Sequence, residues 1–146
     1  MIEFKQAKKE KLPAIVSLNR EIFSEMYERD PYTLSEYEER LSTVLPIIFI
    51  AEENEKLVGD SIAFAKDDAW YLWILGVHPG YRKIGIANTL FEMNENYAKS
   101  KGFKKVNIKI YSVSEAMLRL AEKRGYTATR TDEPNEQKYF IVNLPL

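Results

Sequence analysis

Across residues 9–28 the apolar side chains fall at Leu12, Ile15, Val16, Leu18, Ile22, Phe23 and Met26, the spacing of an amphipathic helix. The stretch "DPYTLS" interrupts it, and Thr33 or Ser35 can cap a second short helix ending near Thr43. The period then changes. "IIFIAEE" and "KLVGDSIAFAK" read as two strands joined by a polar turn around Asn54. Asp67 and Asp68 suit a hairpin turn into "AWYLWILGV", a third strand apolar enough to be central.

Helical spacing returns over 85–101, where Ile86, Leu90, Met93 and Tyr97 form one stripe and Gly102 suits a left-handed cap. "KKVNIKIYS" alternates as a strand. A further helix follows, with Ser112 and Glu115 at capping-box spacing, Ser114 as an equally good cap, and Gly125 at its end. "IEFKQA" opens the chain as a strand, and "YTATR" and "KYFIVNL" close it as two more. The predicted order is β-αα-βββ-α-β-α-ββ, a mixed α/β or α+β domain with helices on the faces of one sheet. No linker, repeat or low-complexity tract divides it, so residues 1–146 are expected to form a single domain.

Composition narrows the chemistry. A net charge of −1 in 146 residues gives no global pull toward nucleic acid or membrane. Cysteine is absent and His78 is the single histidine, which argues against thiolate chemistry and multi-histidine metal sites. No signal-peptide core or membrane-length apolar run is present, so a cytoplasmic location is the default expectation. Charge is uneven: 21–40 holds seven acids against two bases, and 99–130 holds nine bases against two acids. Two solvated faces would explain this, and so would a basic end for an anionic cofactor and an acidic end for a cationic substrate.

The junction "ILGVHPGYRKIGIANTLF" turns strand into helix with Arg82, Gly85 and Ala87 in close succession. A helix N-terminus offers unpaired N–H groups and partial positive charge, which together favour phosphate. Gly85 lets an oxyanion approach the backbone, Ala87 stays small, and Arg82 can contact the anion or pin the turn. Neither a P-loop nor a G-x-G-x-x-G fingerprint is present.

"VHPGYRKIGIA" resembles the V-x-P-x-x-[RQ]-x-x-G-x-[GA] signature of the GNAT superfamily of N-acetyltransferases, matching at Val77, Pro79, Arg82, Gly85 and Ala87. "AMLRLAEKRGYTA" is similar to the family's next helix, with its closing pair at Gly125 and Tyr126. The element order matches too, so the resemblance spans roughly the whole chain. It implies a GNAT-like fold, a mixed and mostly antiparallel sheet of about 6–7 strands with about 4 helices. It also implies acetyl-CoA as co-substrate, without a metal. Arg82, Lys83, Ile84, Gly85, Ile86, Ala87 and Asn88 would cradle the pyrophosphate, with Ser114 nearby. Leu75, Gly76 and Val77 would hold the pantetheine arm on a strand that splays from its neighbour. The Leu75 N–H would meet the developing oxyanion, a donor worth about 3 kcal/mol.

The side chains depart from the family pattern. Ala121 stands where many relatives carry a tyrosine acid, Ser114 where an asparagine is frequent, and Tyr71 where some carry a glutamate base. Tyr111 is a candidate acid and Tyr71 a candidate wall of the acceptor slot, while an ordinary core role suits either. His78 reads as turn packing. Phe23, Met26, Tyr27, Tyr32 and Tyr37, among Glu25, Glu28, Asp30, Glu36 and Glu39, would suit a cationic amine, although helical spacing alone makes the first three core residues.

The expectation is therefore transfer of an acetyl group to a primary amine by direct attack. The alternative is a non-catalytic acyl-CoA-binding sensor. Expected partners are acetyl-CoA and the amine, with no nucleic acid or membrane, and a homodimer left open.

Overall fold

The computed structural model describes residues 1–24, 31–111, 114–130 and 139–146, except the side chains at 111, 129–130 and 139–140. Seven strands, β1 (Ile2–Ala7), β2 (Ile47–Glu53), β3 (Lys56–Lys66), β4 (Ala69–Val77), β5 (Lys105–Tyr111), β6 (Thr127–Arg130) and β7 (Tyr139–Pro145), form one sheet in the order β1-β2-β3-β4-β5-β7-β6. Every pairing is antiparallel except β4 with β5. "AWYLWILGV" is central, as its uninterrupted apolar run predicts, with three strands on each side. The two hairpins that lead to it turn through paired left-handed residues, Asn54–Glu55 and Asp67–Asp68.

Helices α1 (Leu12–Phe23) and α2 (Leu34–Leu41) pack on one face, while α3 (Ile86–Ser100) and α4 (Glu115–Lys123) lie on the other. The first core joins Ile15, Val16, Tyr37 and Leu41 to Ile48, Ile50, Ile62 and Ile74. The second joins Leu90, Phe91 and Ala98 to Val58, Leu72, Val106 and Ile108. A polar bridge crosses the second core: Trp70 donates its indole N–H to Asn94, whose amide donates to Ser61 Oγ and Leu90 O. Each of these buried groups has a partner, so the bridge orients α3 without an unmet polar group.

Helix bounds differ from the sequence expectation at several ends. The helix expected over 9–28 begins at Leu12, after a 3-10 turn over Lys9–Lys11, because Pro13 is tolerated only in a first turn. Its described part ends at Phe23, and Met26, Tyr27 and the acids Glu25, Glu28 and Asp30 lie outside the described residues. The second helix stops at Leu41 rather than near Thr43, with Thr33 and Glu36 completing a capping box at its start. Ser114 occupies the cap position of α4 but makes no capping hydrogen bond, and Ser112 lies outside the described residues. Helices α3 and α4 both end as expected at left-handed glycines, with the paired closing bonds Phe103 N–H to Ala98 O and Tyr126 N–H to Ala121 O. Among the described residues, no helix is long and apolar enough to cross a membrane.

Candidate active site

The site begins where β4 and β5 part. Their parallel register covers only Trp70–Val106, Tyr71–Asn107 and Leu72–Ile108. One residue later β4 carries a bulge. Ala63 faces Leu72 and Ile62 faces Ile74, which leaves Trp73 as the extra residue. The insertion moves side chains across the sheet: Trp70 and Leu72 join the α3 core before it, Leu75 and Val77 after it. Without it, Leu75 and Val77 would turn toward α1.

Beyond the bulge, the backbone polarity of β4 can be read from the ladder. His78 donates its N–H to Val58 O at 2.8 Å, directly across from it, so this is a hydrogen-bonded pair. Alternation makes Gly76–Asp60 the next such pair and leaves Val77–Gly59 and Leu75–Ser61 as non-hydrogen-bonded pairs. The N–H and C=O groups of Leu75 and Val77 therefore point away from β3, toward the side β5 has vacated. Arg82 takes up one of them, its Nε donating to Val77 O at 3.4 Å.

The turn after β4 is built from Pro79–Tyr81 in 3-10 form, with His78 Nδ1 accepting the Gly80 N–H at 3.0 Å and its ring edge-on to Tyr81. His78 is thus a turn-forming side chain, in line with its sequence reading. Lys83 and Gly85 both adopt left-handed φ, at 67° and 90°. Such angles re-aim the backbone, and the glycine takes its angle without strain. Gly85 is the N-cap of α3 and supplies no capping side chain. The first helical bond runs from Thr89 N–H to Gly85 O, so the N–H groups of Ile86, Ala87 and Asn88 have no helical acceptor. A Cβ built on Gly85 would meet nothing within 4 Å. Open space lies before three uncapped donors at the positive end of a 15-residue helix.

A cavity of about 1200 Å³ runs through the fork. Trp73 to Val77 line it from β4 and Ile108 to Ile110 from β5. The starts of both α3 and α4 reach it. Of the residues anticipated from sequence, Leu75, Gly76, Val77, Arg82, Lys83, Gly85, Ile86, Ala87, Asn88, Ser114 and Tyr71 line this space. Ile86 buries its side chain in the core, so only its backbone is available there. Ile84 is not part of the lining and is 61% exposed. The backbone of Tyr111 pairs with Tyr139, and its side chain lies outside the described residues.

Three further features shape the site; of these the sequence anticipated only Phe23, Tyr32 and Tyr37 of the aromatic wall, and not Trp73, Arg124 or Asp60. Arg124, at the end of α4, lines the cavity, forms a bidentate pair with Glu95 of α3 and also donates to Asn88 Oδ1. Tyr126 donates to the same Glu95 at 2.9 Å, and burial holds its hydroxyl in the neutral form. Second, the α1–α2 end of the cavity is walled by Phe23, Tyr32, Tyr37 and Trp73, with the Arg40 guanidinium 5.5 Å over the Trp73 ring. Tyr32, Tyr37 and Trp73 are mutual neighbours at 5.2–6.1 Å between ring centres. Glu36 and Glu39 of α2 are not in the lining. Third, Asp60 of β3 is fully buried and tied to Asn19 of α1. Among the described residues, no group of three or more metal-ligating side chains comes together.

A split central sheet with an uncapped helix N-terminus at the split suits an elongated ligand with an anionic end. Comparison with known proteins makes the class specific: the family model described as "Acetyltransferase (GNAT) family" matches residues 12–126, and the chain belongs to that family. An acetyltransferase of Yersinia pestis (strain Pestoides F) is 30% identical over 94 residues, covering 64% of this chain and 67% of its own. Two solved structures share the fold at 18% identity. The ribosomal-protein-S18-alanine N-acetyltransferase of Escherichia coli has a TM-score of 0.80, covering 99% of this chain and 94% of its own. The PaiA N-acetyltransferase of Thermoplasma acidophilum, solved in complex with coenzyme A, has a TM-score of 0.81, with coverage of 100% and 99%.

Proposed function

We propose that this chain transfers an acetyl group from acetyl-CoA to a primary amine by direct attack in a ternary complex. The observation that carries this is the fork itself: the Leu75 N–H and C=O and the Val77 N–H open onto the same cavity as the three uncapped N–H groups of α3. The anionic pyrophosphate would sit before Gly85, held by the Ile86, Ala87 and Asn88 N–H groups and by Lys83. Arg82 would mainly brace the turn, since it already bonds Val77 O. The pantetheine arm, rich in amides, would use the Leu75 and Val77 backbone as another strand would.

The Leu75 N–H would then donate to the carbonyl oxygen as the amine nitrogen bonds to the carbonyl carbon and negative charge develops. Collapse breaks the C–S bond; CoA leaves as a thiolate and takes up the proton that the newly acylated nitrogen gives up. A thiolate is a stable leaving group at neutral pH, so Ala121 at the family's usual tyrosine position does not bar the reaction. Orientation and oxyanion stabilisation carry most of the rate enhancement. Thiol release from acetyl-CoA across a panel of small amines, amino acids and peptides tests the proposal. Amine-dependent turnover supports it, and tight CoA binding without turnover overturns it.

A second reading, an acyl-CoA sensor, draws on Ala121, which is completely buried and presents no acid, and on Tyr71 in place of a carboxylate. It predicts saturable acetyl-CoA binding with no acceptor-dependent thiol release.

A further inference from the structure

Asp60 lies on the central part of β3 with its side chain on the α1–α2 face, alongside Ile62 and Phe64. It is fully buried. Asn19 Nδ2 donates to Asp60 Oδ1 at 3.0 Å and to the Tyr37 hydroxyl oxygen at 3.2 Å. The amide thereby spends both protons on these two neighbours. Two buried acceptors on this pair, Asn19 Oδ1 and Asp60 Oδ2, meet no donor among the described residues. An ionised carboxylate with one hydrogen bond and a second orphaned oxygen is a costly thing to bury. One proton on Asp60 removes the charge and gives the pair the donor it lacks.

The surroundings support a neutral carboxyl. Asp60 stands beside Ile50 in β2 and Gly76 in β4, below Asn19 of α1 and Tyr37 of α2. Tyr37 is the one titratable group among these, and no charge among the described residues offsets the burial. Burial pushes the carboxyl up to about 7, with the Asn19 hydrogen bond opposing. Asp60 and Asn19 do not line the cavity, whereas Tyr37 and Gly76 do.

We propose that Asp60 is a positioning residue for the acceptor end of the cavity: it rests as the neutral acid, pins the Asn19 amide, and through it sets the Tyr37 hydroxyl beside the attacking amine. Ionisation of Asp60 leaves the pair one donor short and loosens the hold on Tyr37. This inference rests on the amine-transfer reading for its functional half, while the coupling of Asp60 to Tyr37 can be read without any acceptor.

The test is carbon-13 NMR of the full chain labelled at Asp carboxyl and Tyr Cζ positions, titrated from pH 5 to 9, as wild type, Asp60→Asn and Tyr37→Phe. One carboxyl resonance is expected to titrate near neutrality and to vanish in Asp60→Asn. The Cζ resonance lost in Tyr37→Phe should move with that same midpoint in wild type and stay flat in Asp60→Asn. An Asp60 carboxyl already ionised at pH 5, or a Tyr37 resonance indifferent to it, overturns the proposal.

With any amine that wild type turns over, Tyr37→Phe should lower kcat about a hundredfold or more, the usual worth of a group that moves a proton, and an unchanged kcat refutes the place of its hydroxyl beside the amine. Asp60→Asn should remove the inflection near neutrality from the kcat profile and leave KM for acetyl-CoA within about twofold. An unchanged pH profile in Asp60→Asn refutes the functional half. Absence of turnover by wild type across the panel defeats the amine-transfer reading, and the NMR result still decides the coupling.

Discussion

Asn19 occupies the room that a side chain on Gly76 would need: a methyl group there would lie 2.8 Å from Asn19 Oδ1 and 3.2 Å from Ile22 Cδ1. This close approach sets α1 on the forked strand, where Ile22 and Gly76 both line the cavity. Gly76→Ala should therefore destabilise the protein by about 1–3 kcal/mol, the usual cost of overpacking. It should also impair turnover beyond what stability explains. Denaturant unfolding and acetyl-CoA kinetics, read on the same preparation, check both.

Gly85 gives a contrasting case, because the space before it is open and only its φ of 90° is demanding. Gly85→Ala should cost about 1–2 kcal/mol of stability, from the left-handed backbone. It should still bind acetyl-CoA, but more weakly than wild type, because the methyl group enters the space proposed for the pyrophosphate. Gly85→Glu adds a carboxylate where a pyrophosphate should lie and should abolish binding. Thermal shift separates them: a ligand at a hundred times its Kd stabilises by about 2.7 kcal/mol. That increment should be missing for Gly85→Glu alone.

Arg124 joins the two helices whose starts reach the cavity. Arg124→Ala leaves Glu95 largely buried with Tyr126 as its remaining partner and should cost about 3 kcal/mol. The cut bond to Asn88 should weaken acetyl-CoA binding as well. Calorimetric titration of the folded variant below its melting range would show wild-type affinity if the arginine were only a brace.

Two carboxylates should give stability opposite pH slopes. Asp60 has its folded value raised from 3.8 to about 7, so its stabilising contribution is complete below 3.8 and is lost as pH rises through about 7. Asp60→Asn should remove this loss and be the more stable protein at pH 8, by melting temperature across pH 4–9.

Glu52 is held below its ordinary value of 4.5 by the hydrogen bond from Lys5 and then by Lys11, against the opposing effect of burial. Its contribution is present above that value and lost as pH falls. Glu52→Gln should be less stable than wild type at pH 7, and the difference should close below pH 4.

Local patterns made most of the fold legible. Strands β2, β3 and β4 were readable to their ends because polar pairs, Asn54–Glu55 and Asp67–Asp68, punctuate apolar runs. The turn from β4 into α3 was equally plain, since strand end, glycine and helix start are contiguous. The bulge at Trp73 left no trace, because "AWYLWILGV" is apolar on both sides of it and alternation is invisible there. Asn19, Tyr37 and Asp60 are 18 and 41 positions apart in the two bonds that join them, and Arg124 and Glu95 are 29 apart. Only the sheet brings such residues together, and no periodic pattern encodes the meeting. Ser114 reads as a cap and makes no capping bond, because residue type marks a candidate and backbone geometry decides.

The parallel seam of three register pairs has a mechanical consequence. The sheet amounts to two leaves, β1–β4 and β5–β7, sharing a very short spine. Such a spine would be a weak hinge alone, yet α3 lies across it, packing on β2, β3 and β4 of one leaf and β5 of the other. The helix that presents its bare end to the cleft also sets the cleft's width. A splint of this kind lets the leaves stay apart without closing on their own backbone groups.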